Sequence, residues 1–182
     1  MKKLIIGCCI FCFVAVQAFA QIPTFTQGEQ LAGVAIGLGG HSFGTGYSST
    51  PYITGYFEKC VKGDLFDDKS SLGIGGTVGF KQTTYKYSTW GWNYTYLLFG
   101  LRGVLHYAFV DKLDTYGGLM LGYRVASSKE IGTPVGTATN YNNLNLDLFL
   151  GGRYYFNDKF AIFLELGYSW FSNANIGVSI KL

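Results

Sequence analysis

The sequence predicts an all-β protein, an eight-stranded antiparallel up-and-down transmembrane β-barrel, and three observations lead to this prediction. Long segments alternate between apolar and polar side chains, as from Asn143 to Trp170, and a period of two is typical of β-strands. Charged residues form only 14% of the chain, well below the roughly 25% of an ordinary soluble domain. The charges that do occur share the strand face opposite the large aliphatic side chains.

Residues 1–20 have the pattern of a secretory signal peptide. Lys2 and Lys3 precede a short apolar run, and Ala18-Phe19-Ala20 provides a small-residue cleavage site. An anchoring helix is less favoured because the apolar run is short, and lipoprotein processing at Cys8 is less favoured because few apolar residues precede it. We therefore expect residues 1–20 to be removed and residues 21–182 to form one barrel domain.

Cysteine content and charge narrow the classes of function. Cys60 is the only cysteine after the signal peptide, so no internal disulfide is expected. We expect its side chain to pack as a small apolar group. The formal charge is +3, and two of these units come from Lys2 and Lys3. Such a small charge gives no reason to expect binding to nucleic acid.

Eight segments alternate strongly enough to be predicted as strands. They are residues 30–40, 52–61, 72–84, 94–109, the region around 119–125, 143–156, 160–170 and 174–182. Strands of this length suit a tilted crossing of a bilayer. The turns at 62–70, VDKLD and FNDK are expected on one side of the barrel. The polar loops 41–50, 85–93 and 127–142 are expected on the other side, facing outwards.

The charged face of the predicted strands is the one that we expect to line the lumen. As the surface of a soluble barrel it would be too poor in charge and too rich in glycine, whereas the aliphatic face suits lipid. Charges in a narrow lumen must be paired, so we expect a network that closes it, with a narrow ion path as the alternative. The predicted lumen ion network is Glu58, Lys81, Arg102, His106, Arg124, Asp147, Arg153, Glu165 and Lys181.

Aromatic residues cluster near the ends of the predicted strands. Tyr and Trp combine an apolar ring with a polar tip and prefer the membrane interface. We therefore expect an aromatic girdle of Trp90, Trp92, Tyr94, Tyr168 and Trp170 near the loops, and of Tyr107, Phe109, Tyr154 and Phe156 near the short turns.

Four stretches carry a resemblance that covers nearly the whole mature chain. They are SSLGIGGTVGF, FGLRGVLHYAFVDKLDTYGGLMLGY, GGRYYFNDKFAIFLELGYSW and the terminal IGVSIKL. The chain resembles the small outer-membrane β-barrel proteins of Bacteroidetes, within the OmpA/OmpX-type class of eight-stranded barrels, although Leu182 stands where such proteins usually end in Phe. The resemblance implies a location in the outer membrane of a Gram-negative cell. It also implies contact with outer-membrane lipid and lipopolysaccharide, and insertion by the barrel assembly machinery.

The segment Trp170–Asn175 is similar to the His-x-Ser-Asn segment of outer-membrane lipid A deacylases. Trp170 occupies the histidine position, so Ser172 lacks the base that would activate it. We therefore expect no enzyme, no cofactor and no metal site. The expected function is that of a structural or surface-interaction protein that contacts a surface ligand through its outer loops. A small nonspecific, porin-like pore for ions or minor solutes is the alternative.

Overall fold

The computed structural model describes residues 25–41, 45–133, 136–138 and 141–182. The predicted signal peptide lies outside the described residues. Within them no helix is long and apolar enough to cross a membrane.

The described residues form nine antiparallel strands. Their bounds are β1 Gln30–Leu38, β2 Tyr47–Ser49, β3 Tyr52–Gly63, β4 Ser70–Tyr87, β5 Trp90–Val110, β6 Leu113–Ile131, β7 Asn143–Tyr155, β8 Phe160–Tyr168 and β9 Ala174–Lys181. β2 pairs only with β4 and continues the line of β3 after a break at Thr50 and Pro51. β1 pairs with both β3 and β9, so the sheet closes on itself.

The closed sheet confirms the predicted fold class, an eight-stranded up-and-down barrel in which β2 and β3 count as one interrupted strand. With β2 and β3 counted as one strand, each strand pairs with its neighbours in sequence, and the pairing of β1 with β9 closes the ring. Closure matters physically because it leaves the barrel wall no open edge in lipid, where each unpaired backbone group costs several kcal/mol.

The first described residue, Phe25, and the last, Leu182, lie on one side of the barrel, which we call the terminal side. The connections on this side are residues 64–69, the two-residue turn Asp111-Lys112 and residues 156–159. Lys112 adopts a left-handed backbone with φ of 61°. The opposite side, called the loop side, carries the connections 39–46, 88–89, 132–142 and 169–173.

The prediction of a loop at 85–93 is wrong, because β4 and β5 continue through these residues in unbroken register to the pair Tyr87–Trp90. Only Ser88 and Thr89 remain as a turn. β6 likewise continues to Ile131, inside the predicted loop 127–142. Three strands therefore extend past the rest of the barrel, and β2 pairs with their edge.

The outer face of the barrel is an apolar belt. Alternate residues of every long strand point outwards and remain exposed, among them Val34, Ile74, Leu101 (71% exposed), Leu148 and Leu164. On β5 the belt runs from Leu97 to Tyr107, which corresponds to a height of about 26 Å for a strand tilted by about 40°. That height matches the apolar band of about 25 Å found in barrels that span a bilayer.

The inner face carries tyrosines that lie flat against neighbouring glycines. A Cβ atom added to Gly33 would touch the ring of Tyr56, and one added to Gly151 would touch the ring of Tyr116. Glycine on one strand therefore makes room for a ring from the next strand, which allows a narrow lumen to be filled.

Candidate functional site: the lumen network and its aromatic mouth

Arg102 on β5 lies near the centre of the lumen and links two acidic residues. Its Nη2 donates to Glu165 Oε1 on β8 at 2.8 Å, and its Nε lies 3.6 Å from Glu58 Oε2 on β3. The guanidinium also lies over the rings of Tyr56 and Phe149, 4.5 and 4.6 Å from their centroids. Arg102 is thus held by carboxylates and aromatic faces from several strands.

His106 also points inwards from β5, two inward positions from Arg102 towards the terminal side, and it bridges two carboxylates. Its Nε2 lies 2.6 Å from Glu58 Oε1 and its Nδ1 lies 3.0 Å from Asp114 Oδ1. With both carboxylates ionised, each accepts a hydrogen bond from one ring nitrogen, and His106 is then the positively charged imidazolium.

Arg153 completes the network on the terminal side. Its Nη1 donates to Asp114 Oδ2 at 2.7 Å, and its Nη2 donates to the hydroxyl of Tyr56 at 3.1 Å. Arg153 and Asp114 are both fully buried. The connected set, which we call the lumen network, contains Glu58, Asp114, Glu165, Arg102, His106 and Arg153. Its three carboxylates balance its three cations.

Five of the nine predicted network residues join the lumen network: Glu58, Arg102, His106, Arg153 and Glu165. The other four point into the lumen but bind elsewhere. Lys81 donates to the carbonyls of Phe171 and Gly39, and Asp147 accepts from Ser169. Arg124 lies over the ring of Trp170, 3.9 Å from its centroid. Lys181 pairs with Glu29 at the terminal side.

Asp114 is the network member that the sequence prediction missed. It was assigned to the turn VDKLD, whereas the turn occupies only Asp111 and Lys112. The available signal was its phase, because Asp114 lies an even number of residues before Arg124, whose side chain was predicted to face the lumen. Tyr56 and Tyr116 were also missed, although each hydrogen-bonds to a charged network residue.

Side chains fill the lumen on both sides of the network. On the terminal side Phe25 folds under the barrel, 2% exposed, with its ring 4.7 Å from that of His106. It packs with Leu31 and with Cys60, which is buried as predicted. On the loop side a cavity of about 40 Å³ borders Arg102 and Glu165, enough for about three water molecules. Tyr52, Phe171, Tyr96 and Leu98 cluster at the mouth above it.

The predicted aromatic girdle divides between the two faces of the barrel. Tyr107, Phe109, Tyr154, Phe156 and Tyr168 point outwards, in phase with the apolar belt. The remaining four were placed on the wrong face: Trp90, Trp92 and Tyr94 share the inward phase of Tyr96 and Arg102, and Trp170 packs against Tyr96 and Phe171. The reason is that Trp90–Tyr94 continues the strand past the belt instead of ending at it.

Tyr107 is anchored at the edge of the belt. Its hydroxyl donates to Asp67 Oδ2 in the exposed connection 64–69, at 2.8 Å. This hydrogen bond holds the pKa of the Asp67 carboxyl below its ordinary value. A ring in the belt with its hydroxyl bound to a solvated turn is the arrangement expected at a membrane interface.

The polarity of the sheet inverts where β4, β5 and β6 leave the belt. Within the belt the outward residues are apolar, but beyond it they are polar, as at Thr84, Lys86, Asn93 and Lys129. The inward face beyond the belt is aromatic instead. We call it the aromatic shelf, and it consists of Tyr47, Tyr85, Tyr87, Trp90, Trp92 and Tyr94.

Ser172, the residue of the deacylase-like segment, is buried, and its Oγ donates to Asn175 Oδ1 at 2.6 Å. In the part of the chain that the structure describes, no group of three histidine, cysteine or acidic side chains is arranged to hold a metal ion.

A closed barrel with a lipid-facing apolar belt and a polar, filled lumen defines a transmembrane β-barrel of the outer-membrane type. Comparison with solved structures finds the same fold. The outer-membrane protein OprG from Pseudomonas aeruginosa superposes with a TM-score of 0.57 and 12% identity, over 90% of this chain and 99% of that one.

Ail, the attachment invasion locus protein of Yersinia pestis, superposes with a TM-score of 0.50 and 14% identity, over 86% of this chain and 96% of that one. No protein-family model matches the chain, and no curated protein matches it.

Proposed function

We propose that the protein is an outer-membrane barrel with a closed lumen that acts as a structural or surface-interaction protein through its outer side. The single observation that carries this proposal is the lumen network, in which three carboxylates and three cations pair across the interior. Paired charges that fill a narrow lumen leave few sites where a passing ion would be stabilised. The working surface is then the part that projects beyond the membrane.

Orientation and cellular context belong to the same proposal. The terminal side, with its short turns, faces the periplasm, and the loop side with the projecting strands faces outwards. The surrounding lipid and lipopolysaccharide contact the apolar belt, and the barrel assembly machinery inserts the chain. The similarity of the sequence to small Bacteroidetes barrels supports an origin in that group.

We also propose that the barrel is not an enzyme. Ser172 is buried at 2% exposure and its hydroxyl is committed to Asn175, so it is badly placed to attack a lipid ester. The mass of lipid A extracted from cells with and without the gene tests this directly. A change in acyl chain number that depends on Ser172 would contradict the proposal.

Planar-bilayer conductance of the refolded barrel, first checked for a heat-dependent gel shift, tests whether the lumen is closed. We expect no steady channels from folded protein. Reproducible channels would support the alternative, a small pore for ions or minor solutes. In that case Glu165→Gln, which removes one lumen charge, should alter cation selectivity, whereas Glu130→Gln on the projecting strands should not.

A further inference from the structure

The aromatic shelf has a composition that suits one class of ligand. Its six rings are tyrosines and tryptophans, and the other inward side chains of the projecting strands include Ser49, Thr83, Ser128 and Glu130. Each of these side chains carries a hydroxyl, an indole N–H or a carboxylate.

Five of the six rings of the shelf form a continuous series of contacts. Tyr85 lies at its centre, 4.7 Å from Tyr47 between centroids and stacked on Trp92 at 6.0 Å. Trp90 contacts both Trp92 at 5.2 Å and Tyr87 at 5.5 Å. Tyr47 and Tyr87 are 38% and 61% exposed. The shelf therefore offers several ring faces side by side.

The charges of the projecting strands are unevenly distributed between the two faces. Lys86 and Lys129 belong to the outward face, opposite the shelf. On the parts of these strands that extend beyond the belt, Glu130 is the only charged side chain on the inward face among the described residues. A sulfated or otherwise polyanionic ligand would meet no cation on the shelf itself, because Arg124 lies below it at the mouth, against Trp170. The shelf therefore suits an uncharged ligand.

The direction in which the shelf faces determines from which side a ligand can reach it. Its rings continue the inward phase of the lumen residues, and Tyr94 stacks on Tyr96 at the mouth of the barrel. Lipid and lipopolysaccharide of the same leaflet surround the barrel on its outward face. The shelf is thus turned away from them and towards material that approaches along the barrel axis.

We propose that the aromatic shelf binds uncharged glycans that approach the cell from outside. The apolar C–H faces of sugar rings stack on the Tyr and Trp rings, and the sugar hydroxyls bond to the phenol groups, which both donate and accept. This inference rests on the proposed surface-interaction function and supplies its ligand class.

The three tryptophans of the chain are Trp90, Trp92 and Trp170, which lie on the shelf or at the mouth beneath it, so their fluorescence reports on this site. The full barrel, refolded into phosphatidylcholine vesicles free of sugar detergents, is titrated with maltohexaose, cellohexaose and chitohexaose. A heparin hexasaccharide and lipopolysaccharide core oligosaccharide serve as the charged and same-leaflet comparisons. We expect saturable binding of at least one neutral hexasaccharide and none of heparin.

Calorimetry on variants then locates the binding. Tyr85→Ala and the more exposed Tyr87→Ala should each weaken binding of the neutral hexasaccharide at least tenfold, while Tyr168→Ala on the outer face should not change it. The proposal is overturned if no neutral hexasaccharide binds, if both shelf variants bind like the wild type, or if heparin or lipopolysaccharide core binds best. If a barrel that forms no channels binds no glycan, the glycan proposal fails and the closed-lumen proposal stands. If a barrel that forms channels binds a glycan, the closed-lumen proposal fails and the glycan proposal stands.

Discussion

Arg102 shows how much a single side chain can contribute inside a narrow barrel. It pairs with Glu165 and Glu58 from two different strands and lies over the rings of Tyr56 and Phe149. Removing one partner of a buried ion pair leaves the other charges uncompensated, which costs more than the pair itself contributes.

We therefore expect Arg102→Ala to lower the free energy of unfolding by about 3–5 kcal/mol without opening a channel. Urea unfolding from lipid vesicles, followed by tryptophan fluorescence, measures the first effect and planar-bilayer recording the second. Lys86→Ala, at an exposed position outside the belt, is the matched control. An unchanged unfolding midpoint for Arg102→Ala would show that the lumen network does not stabilise the barrel.

Glycine residues also contribute to stability at the residue scale, because only glycine leaves room for a neighbouring backbone or side chain to approach its Cα. A Cβ atom added to Gly75 on β4 would overlap the carbonyl oxygen of Phe57, whereas one added to Gly103, on the adjacent strand, has no atom within 4 Å. Gly75 faces inwards beside Arg102, and Gly103 faces the lipid.

Gly75→Ala should destabilise the barrel by about 1–3 kcal/mol because backbone must move to admit the methyl group. Gly103→Ala should stay within about 0.5 kcal/mol of the wild type. The fraction of protein that shows the heat-dependent gel shift over a urea series compares the two. Equal stability of the two variants would mean that the wall at Gly75 is looser than its geometry indicates.

At the scale of single elements, the hairpin of β4 and β5 depends on a strained turn. Ser88 adopts a left-handed backbone with φ of 55°, a region that costs an L-residue roughly 1–2 kcal/mol relative to glycine. The eighteen pairs of this hairpin run without a register shift, so the turn is held by the strands that it joins.

Ser88→Gly should relieve this strain and stabilise the hairpin tip by about 0.5 kcal/mol after the entropy cost of glycine is deducted. Slower hydrogen exchange at the amides of Tyr87 and Trp90 would report the change. Ser128→Gly, at an interior position of the neighbouring strand β6, should speed exchange because glycine weakens a strand interior. If Ser88→Gly also speeds exchange, the turn is not under strain.

The same hairpin shows where prediction from the sequence ends. Strand phase within the belt was predictable, because lipid selects large apolar residues at every second position, as at Leu97, Phe99 and Leu101. Beyond the belt both faces meet water, so this selection stops and the phase can invert without any break in the strand. The aromatic residues from Trp90 to Tyr94 are therefore predicted as a girdle. The prediction also misses the buried position of Asp114, because it assigns Asp114 to the turn VDKLD, whereas the turn is only two residues long.

At the scale of the whole molecule, the barrel has the reverse polarity of a soluble protein, because its charges are paired at the centre and its aliphatic side chains are exposed. Leu101 lies near the middle of the part of β5 that faces outwards in the belt, between Leu97 and Tyr107, and is 71% exposed. Ser127 pairs with Thr95 at the edge on the loop side.

Exposure to lipid and exposure to water make opposite predictions for a charge at Leu101. In a membrane barrel Leu101→Arg should lower the free energy of unfolding by about 2–4 kcal/mol, while Ser127→Arg at the belt edge should cost about 0–1 kcal/mol. In a soluble barrel both exposed positions would accept arginine with little cost. Urea unfolding of the two variants from phosphatidylcholine vesicles therefore tests the orientation of the whole barrel, because equal stabilities would mean that the aliphatic face does not meet hydrocarbon.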